Sequence, residues 1–217
     1  LPLLEAVARF SKPVLLSSGL ADLAELQTAK KTVEAVWADL GRTPGLAVLH
    51  CVSSYPVPPE DANLSAIPTI HRSLGCPVGY SDHTLGIDAC LSAIALGAKV
   101  IEKHFTLDKN FSAFRDHQLS ADPAEFRMLV ERIRGVERLL GDGVKLPRAS
   151  EAGNRTALRR SIAVARAMNA GDTVQRTDLT WIRPGTGLVP GQEDRIVGRR
   201  LKRPLAAGER ILPDDVL

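Results

Sequence analysis

Aromatic residues make up only 4% of the 217-residue sequence, and lysine and arginine form no block despite a net charge of +3. Proteins that read nucleic acid usually combine a basic stripe with aromatic side chains, so nucleic-acid binding is not expected. No apolar run approaches the length of about 18 residues that a membrane-spanning helix needs, and no signal peptide opens the chain. We therefore expect a cytoplasmic protein that does not bind membranes.

Cysteine is also scarce, and Cys51, Cys76 and Cys90 show no CxxC spacing. An odd number of scattered cysteines argues against a disulfide framework and predicts reduced, mostly buried thiols. The sequence begins Leu-Pro-Leu-Leu-Glu rather than with methionine. From this start we expect a piece of a longer protein.

What is present, at 44% hydrophobic residues, is enough for one large domain or two modest ones. The first 140 residues alternate short apolar runs with segments of helical periodicity that end at glycine. This alternation predicts a parallel sheet with crossover helices. Four strand–helix units make either a small doubly wound sheet or half of a (β/α)8 barrel, since a whole barrel takes about 250 residues. The predicted strands are 12–16, 46–51, 77–80 and 99–105, and the predicted helices are 22–40, 64–74, 87–96 and 123–140.

The composition changes near Gly141. Residues 1–141 form the predicted α/β part, 142–158 a polar linker, and 159–217 a compact, mostly β module built from short strands and turns. Within this module "NAGDTVQRTDL" and "AAGERILPDDV" resemble each other. The likeness indicates either an internal repeat of pseudo-symmetric hairpins or chance.

His83 and His104 follow two consecutive predicted strands. Functional residues gather at the carboxyl ends of parallel strands, and side chains alternate between the two faces of a sheet. The two imidazoles can therefore converge on one pocket, and two histidines plus water make an open transition-metal site. A phosphate-binding pair, or two buried histidines bonded to backbone carbonyls, are the alternatives.

Hydroxyl-bearing residues follow the other strands. Ser17 and Ser18 end the first, Ser53 and Tyr55 follow the second, and Ser81 ends the third. Hydroxyls and free backbone N–H groups before a helix can bind a phosphate or carboxylate. Each cluster alone is compatible with ordinary turn capping, but three at one end of a sheet favour an anion pocket.

The sequence resembles the sialic acid synthase (N-acetylneuraminate synthase) family. The resemblance covers nearly the whole chain and implies the second half of a TIM-type (β/α)8 barrel, followed by an antifreeze-like SAF domain of the β-clip type. The segments that carry it are "KPVLLSSGL", "LHCVSSYPVP", "GYSDHTLG", "GAKVIEKHFTLD", "DHQLSADPAEF" and "RRSIAVA…GDTV…DLTWIRPGTGL…IVGRRL".

The resemblance implies a metal-dependent condensation of phosphoenolpyruvate with an N-acylated aminohexose such as N-acetylmannosamine. The products are a nine-carbon 2-keto acid and phosphate. By the same match His83 and His104 hold a divalent metal, typically Mn²⁺, with Mg²⁺ or Co²⁺ as alternatives. Asp116 matches an acidic residue near the metal and the sugar, so these three are the implied catalytic residues.

The remaining implied contacts are to substrate. Ser81 and Ser53 match phosphate-binding positions, with Ser17 or Ser18 nearby, and Tyr55 matches a position lining the sugar site.

Arg183, in "WIRPG", matches an arginine that the small domain inserts into the active site of the other subunit, which implies a domain-swapped homodimer. This chain reads Phe114-Arg115 where the family often reads Gly-Pro, which favours a different acylated sugar. The other four strand–helix units, with lysines used on phosphoenolpyruvate, are expected outside this chain, and without them no turnover is expected. A synthase for spore-coat or surface polysaccharide sugars and a noncatalytic assembly module are the alternatives.

Overall fold

The computed structural model describes residues 1–217, which form two compact units, Leu1–Gly143 and Val144–Leu217. None of the helices combines the length and the apolar character needed to cross a bilayer.

The first unit is built on a parallel sheet in which the strands lie in sequence order. A further parallel bridge joins Phe105 to Ala121 beyond β4. The predicted parallel α/β architecture is confirmed, and the strands extend to where the polar clusters begin. They are β1 Val14–Ser17, β2 Leu46–Cys51, β3 Val78–Asp82 and β4 Ile101–Lys103.

Six helices accompany this sheet, and two of them start at reciprocal capping boxes. Asp22 caps α2 together with Glu25, and Asp122 caps α6 together with Glu125. Each box satisfies backbone N–H groups that a helix start leaves free. The segment between β4 and α6, predicted as a polar loop, contains the short helix α5. The helices are α1 Pro2–Ala8, α2 Leu23–Asp39, α3 Ala66–Leu74, α4 Asp88–Ala95, α5 Arg115–Leu119 and α6 Pro123–Leu140.

The two faces of the sheet differ in what covers them. Val48, Val78 and Tyr80 point to the helix face, where they pack in a core with residues of α2, α3, α4 and α6. The alternate residues, Leu49 and Gly79 among them, point to the other face, which we call the cavity face. Gly79 cannot carry a side chain there, because a Cβ atom would lie 2.6 Å from the carbonyl oxygen of Val100.

The second unit contains the antiparallel strands β5 Ser161–Val164 and β6 Leu179–Ile182 around a core of its own. The segment predicted as a linker is exposed and holds a 3-10 helix, Ala149–Asn154, and a single turn, α7 Arg155–Leu158. Antiparallel bridges outside the two strands complete the small β module.

The two similar sequence stretches occupy equivalent places in this module. Met168 and Leu205 exchange a reciprocal pair of backbone hydrogen bonds, both of 2.9 Å. Arg166 donates to Asp178 near one of them, and Arg203 donates to Asp215 near the other. Equivalent contacts in both halves favour the internal repeat over chance similarity.

Candidate active site

His83 and His104 directly follow the register pair Asp82–Lys103 at the carboxyl ends of β3 and β4. Both imidazoles lie on the cavity face, because each is two residues from a side chain on that face. The ring centroids are 5.1 Å apart and the rings are inclined by 70°. The two histidines therefore share one pocket wall at the carboxyl ends of the strands.

The orientation of His83 is set by a backbone contact. Its Nδ1 lies 3.2 Å from the carbonyl oxygen of Val52. A carbonyl can only accept, so Nδ1 carries the proton and Nε2 keeps a free lone pair. Burial lowers the pKa of His83 and the nearby His104 lowers it further, against the opposing effect of the Val52 hydrogen bond. A neutral ring with a free Nε2 is the form that binds a metal ion.

Two further predicted residues flank the imidazoles. The ring of Tyr55 lies 4.3 Å from that of His83 and 5.9 Å from that of His104. Asp116, on α5, has a carboxylate oxygen 4.0 Å from Nδ1 of His104. Arg115, which precedes Asp116, places its guanidinium 5.5 Å from the centre of the Tyr55 ring. The structure thus gathers a cation, a carboxylate and an aromatic surface around the two histidines.

The cavity offers few side chains that could bind a metal ion. Nowhere in residues 1–217 do three or more histidine, cysteine, aspartate or glutamate side chains gather closely enough to hold one. Two imidazoles with Asp116 at a longer distance therefore fit an open site, in which water or substrate supplies the other ligands. A mixed nitrogen and oxygen set suits divalent transition metals, and nothing in the geometry selects one of them.

The predicted anion-binding serines separate into two groups. Ser18 is buried, and both its backbone N–H and its hydroxyl donate to the carbonyl of Leu49, so it fixes the end of β1. Ser17 is exposed on the cavity face. The hydroxyl of Ser81 donates to Glu102 at 2.7 Å, and Ser53 lies where a Gly19 side chain would have to go. Ser17, Ser53 and Ser81 therefore remain close to the cavity.

Two cavity residues were not singled out from the sequence. Glu102 is paired in register with Ser81, and Cys51 occupies the equivalent position on β2. The Cys51 thiol lies 3.9 Å from Nδ1 of His83, and burial raises its pKa. The alternation of side chains along β2 and β4, combined with the correct register, was the signal that would have found both.

A buried ion pair behind the histidines was also missed. Asp82 and Lys103 each precede one of the histidines and point to the helix face, where their charged groups are 2.7 Å apart. Burial acts to raise the pKa of Asp82, but the hydrogen bond and the charge of Lys103 outweigh it and hold that pKa below the usual range. The carboxylate therefore stays ionised inside the protein.

Arg183 follows β6 in the second unit. It is exposed, and its Nε donates to the carbonyl of Leu158 at 3.1 Å. The predicted contact of Arg183 with an active site of another subunit stays a prediction.

Comparison with known proteins places this geometry in a family. An uncharacterised protein of Methanocaldococcus jannaschii is 45% identical over the whole chain and 62% of its own length. The N,N'-diacetyllegionaminic acid synthase of Legionella pneumophila is 42% identical over 97% of this chain and 59% of its own length. The crystal structure of a putative spore coat polysaccharide biosynthesis protein E from Chromobacterium violaceum, 27% identical, superposes with a TM-score of 0.75, covering the whole chain and 64% of that protein.

The chain thus spans about three fifths of the length of these curated relatives. Residues 1–145 match the NeuB family and residues 159–217 match the SAF domain. The parallel sheet of the first unit corresponds to half of the barrel of the family's synthases. The chain belongs to the NeuB family, the sialic acid synthase-like proteins, as a partial barrel followed by a C-terminal SAF domain.

Proposed function

We propose that the protein condenses phosphoenolpyruvate with an N-acylated aminohexose to give a sialic acid-type 2-keto acid and phosphate. The observation that carries this proposal is the convergence of His83 and His104, with Tyr55 against both rings. Family membership supplies the class of reaction, and the pair of imidazoles supplies a place for it at the carboxyl ends of β3 and β4.

The reaction forms one carbon–carbon bond, between C3 of phosphoenolpyruvate and the aldehyde carbon of the open-chain sugar. Water adds its oxygen to C2, and phosphate leaves with the former enol oxygen. His83 and His104 would hold a divalent cation, which we propose is Mn²⁺, and when bound it would supply Lewis-acid polarisation of a carbonyl oxygen. Asp116 lies near enough to accept a hydrogen bond from a sugar hydroxyl or a water molecule beside His104.

The other residues bind and orient. Tyr55 offers a flat wall for the sugar. Ser17 and Ser53 offer hydroxyls to the phosphate, and Ser81 joins them once its hydroxyl turns away from Glu102. Ser18 acts through the strand end that it fixes.

A partner subunit is part of the proposal. We propose that Arg183 binds a substrate carboxylate or amide carbonyl in a homodimer, since the guanidinium geometry suits bidentate contacts. Its support is the resemblance of "WIRPG" to the family's sequence.

The acceptor sugar has two candidate types. The likeness to a diacetyllegionaminic acid synthase favours a sugar with two acylamino groups over N-acetylmannosamine. Arg115, stacked near Tyr55, is a donor for a second acyl carbonyl.

The spore coat relative favours the surface polysaccharide pathway as the destination of the product. A noncatalytic module, the third alternative, predicts no metal binding at all.

The first test is a titration of the protein with Mn²⁺, in which the electron paramagnetic resonance signal of the unbound ion reports binding. We expect one site in the wild-type chain, and we expect the affinity to fall at least 100-fold in His83→Ala and in His104→Ala, because each removes one of two protein ligands. His71→Ala is the control, since this imidazole bonds to the carbonyl of Cys76 away from the cavity. In a protein that also contains the other four strand–helix units, phosphate release from phosphoenolpyruvate, assayed with each type of sugar, then ranks the acceptors. Unchanged Mn²⁺ affinity in both cavity variants would contradict the proposal.

A further inference from the structure

Behind the two histidines lies a charged cluster that no step of the proposed reaction uses. Asp82 and Lys103 are register partners and occupy the last pair of positions before His83 and His104. Successive side chains of a strand point to opposite faces. The ion pair therefore lies on the helix face, directly behind the two residues that turn their imidazoles into the cavity.

The cluster is enclosed. The side chain of Asp82 is 0% exposed and that of Lys103 is 1% exposed. Helix α4 covers the cluster, and the thiol of Cys90 on this helix donates a hydrogen bond of 3.1 Å to Asp82 Oδ2. A salt bridge without solvent on either partner is not screened by salt and holds a fixed geometry.

The same pair binds the backbone of Thr84, the residue that follows His83. Asp82 Oδ1 accepts a hydrogen bond of 2.8 Å from the backbone N–H of Thr84, and Lys103 Nζ donates to the carbonyl of Thr84 at 2.9 Å. The Asp82 and Thr84 that flank His83 are thus tied to Lys103, the residue before His104. Any shift of the backbone at His83 relative to that at His104 has to stretch this network.

Stability alone does not account for such a pair. Replacing a buried ion pair by well-packed neutral residues is often neutral or stabilising, because desolvation offsets the attraction between the charges. What a directional, enclosed pair supplies is a fixed spacing between the groups that it joins.

We propose that Asp82 and Lys103 are positioning residues that set the separation and orientation of His83 and His104. This inference rests on the proposed function, in which those two imidazoles hold a divalent cation. Groups that hydrogen-bond directly to metal ligands change metal affinity about 10–100-fold when they are removed. Because the ion pair acts on the imidazoles through the backbone of Thr84, we expect an effect at the lower end of that range.

The test uses the neutral double variant Asp82→Asn with Lys103→Met in the full chain. Asn keeps an acceptor for the Thr84 N–H, and Met fills the volume of the lysine stem. We expect the melting temperature to stay within a few degrees while the Mn²⁺ dissociation constant rises at least ten-fold. The matched control is Lys30→Met with Glu34→Gln, which neutralises an ion pair on the surface of α2 and should change neither quantity.

The outcomes separate this inference from the proposal beneath it. If the wild-type chain binds no Mn²⁺, the proposed function fails. The inference is then judged on the metal-free protein, by long-range ¹H–¹⁵N spectra of the imidazoles. A loss of the Nδ1–H form of His83 in the double variant supports it, and unchanged spectra overturn it.

If the wild type binds and the folded double variant binds within two-fold of it, the positioning role is wrong. If the double variant does not fold, Asp82→Glu decides, because it keeps the charge but lengthens the side chain. An affinity at least three-fold weaker supports the inference, and an unchanged affinity overturns it.

Discussion

The two faces of the β3–β4 strand ends carry polar residues in alternation, yet they differ in how those residues are satisfied. On the helix face, Asp82 and Lys103 are enclosed and bonded to each other. On the cavity face, His104 and Asp116 keep about a third of their side-chain surface exposed, 32% and 37%, and lie 4.0 Å apart. One face holds charge that is fully paired, and the other holds polar groups that can still take a ligand.

Within two pairs of consecutive residues, Asp82–His83 and Lys103–His104, one residue of each pair contributes rigidity and the other contributes chemistry. A closed network resists movement because its charged groups are already bonded to each other and to the backbone of Thr84. An open group costs little stability to replace but is available to a ligand. We therefore expect helix-face variants that leave one charge unpaired to lower the free energy of unfolding, and cavity-face variants to change binding with little effect on that free energy.

The largest expected effect is that of Lys103→Met alone. It leaves the Asp82 carboxylate buried without its cation, which costs about 3–5 kcal/mol of unfolding free energy. His104→Ala, one residue further on, should cost about 1 kcal/mol or less because its side chain is partly exposed. Urea unfolding of the first unit can be followed through Trp37 fluorescence in a Trp181→Phe background, since each unit contains one tryptophan.

A similar loss of stability in both variants would remove the distinction between the two faces. The neutral double variant serves as the internal control. Restoration of stability when Asp82→Asn is added to Lys103→Met shows that the cost comes from the unpaired charge and not from lost packing of the lysine stem.

A smaller effect is expected at Cys90, which contacts the ion pair from α4. Cys90→Ala removes a buried donor to Asp82 and leaves a small void, with an expected cost of about 1–2 kcal/mol. Cys90→Ser keeps a donor at the same place and should cost less than Cys90→Ala. Equal costs for the two variants, measured by the same urea titration, would show that the thiol contributes packing only.

On the cavity face, Cys51 is the counterpart of Cys90 on the helix face. Cys51 is partly exposed, whereas Cys90 is fully buried. Burial raises the pKa of both thiols. At neutral pH both are therefore thiols and not thiolates, and only Cys51 is in a position to meet a reagent from the cavity.

Much of the first unit could be predicted from the sequence, because apolar runs and glycine stops are local signals. The predicted strand 46–51 coincides with β2, and helix 123–140 coincides with α6. α5 could not be predicted, since five residues in a polar segment show no periodicity. It nevertheless carries Asp116, which the resemblance had implied as a site residue and the loop prediction could not place.

The sequence could not reveal those site residues whose surroundings are set by the register between neighbouring strands. Lys103 and Glu102 are neighbours in an ordinary charged stretch, and only the pairing with β3 sends one into a buried ion pair and the other into the cavity. The hairpin repeat of the second unit shows the opposite case. Its two halves share a pattern that is visible in the sequence, and Arg166 and Arg203 form equivalent hydrogen bonds in the two halves.

The smallest expected effect is a pH dependence that belongs to the helix face. The pKa of Asp82 is held below its usual range in the folded protein, so the ionised form is favoured more in the folded state than in the unfolded chain. The resulting stabilisation is fully present above the unfolded aspartate pKa of about 4 and is lost as the pH falls through the lower folded value.

We expect the unfolding free energy of the wild type, relative to the neutral double variant, to fall by on the order of 1 kcal/mol between pH 5 and pH 3. Other carboxylates with lowered pKa values, such as Asp215 in the second unit, are present in both proteins and cancel in the difference. The measurement is the same fluorescence-detected urea titration at several pH values. A difference that rises toward acid pH would mean that the Asp82 carboxylate is not held ionised by Lys103, and the contrast between a closed helix face and an open cavity face would then lose its electrostatic basis.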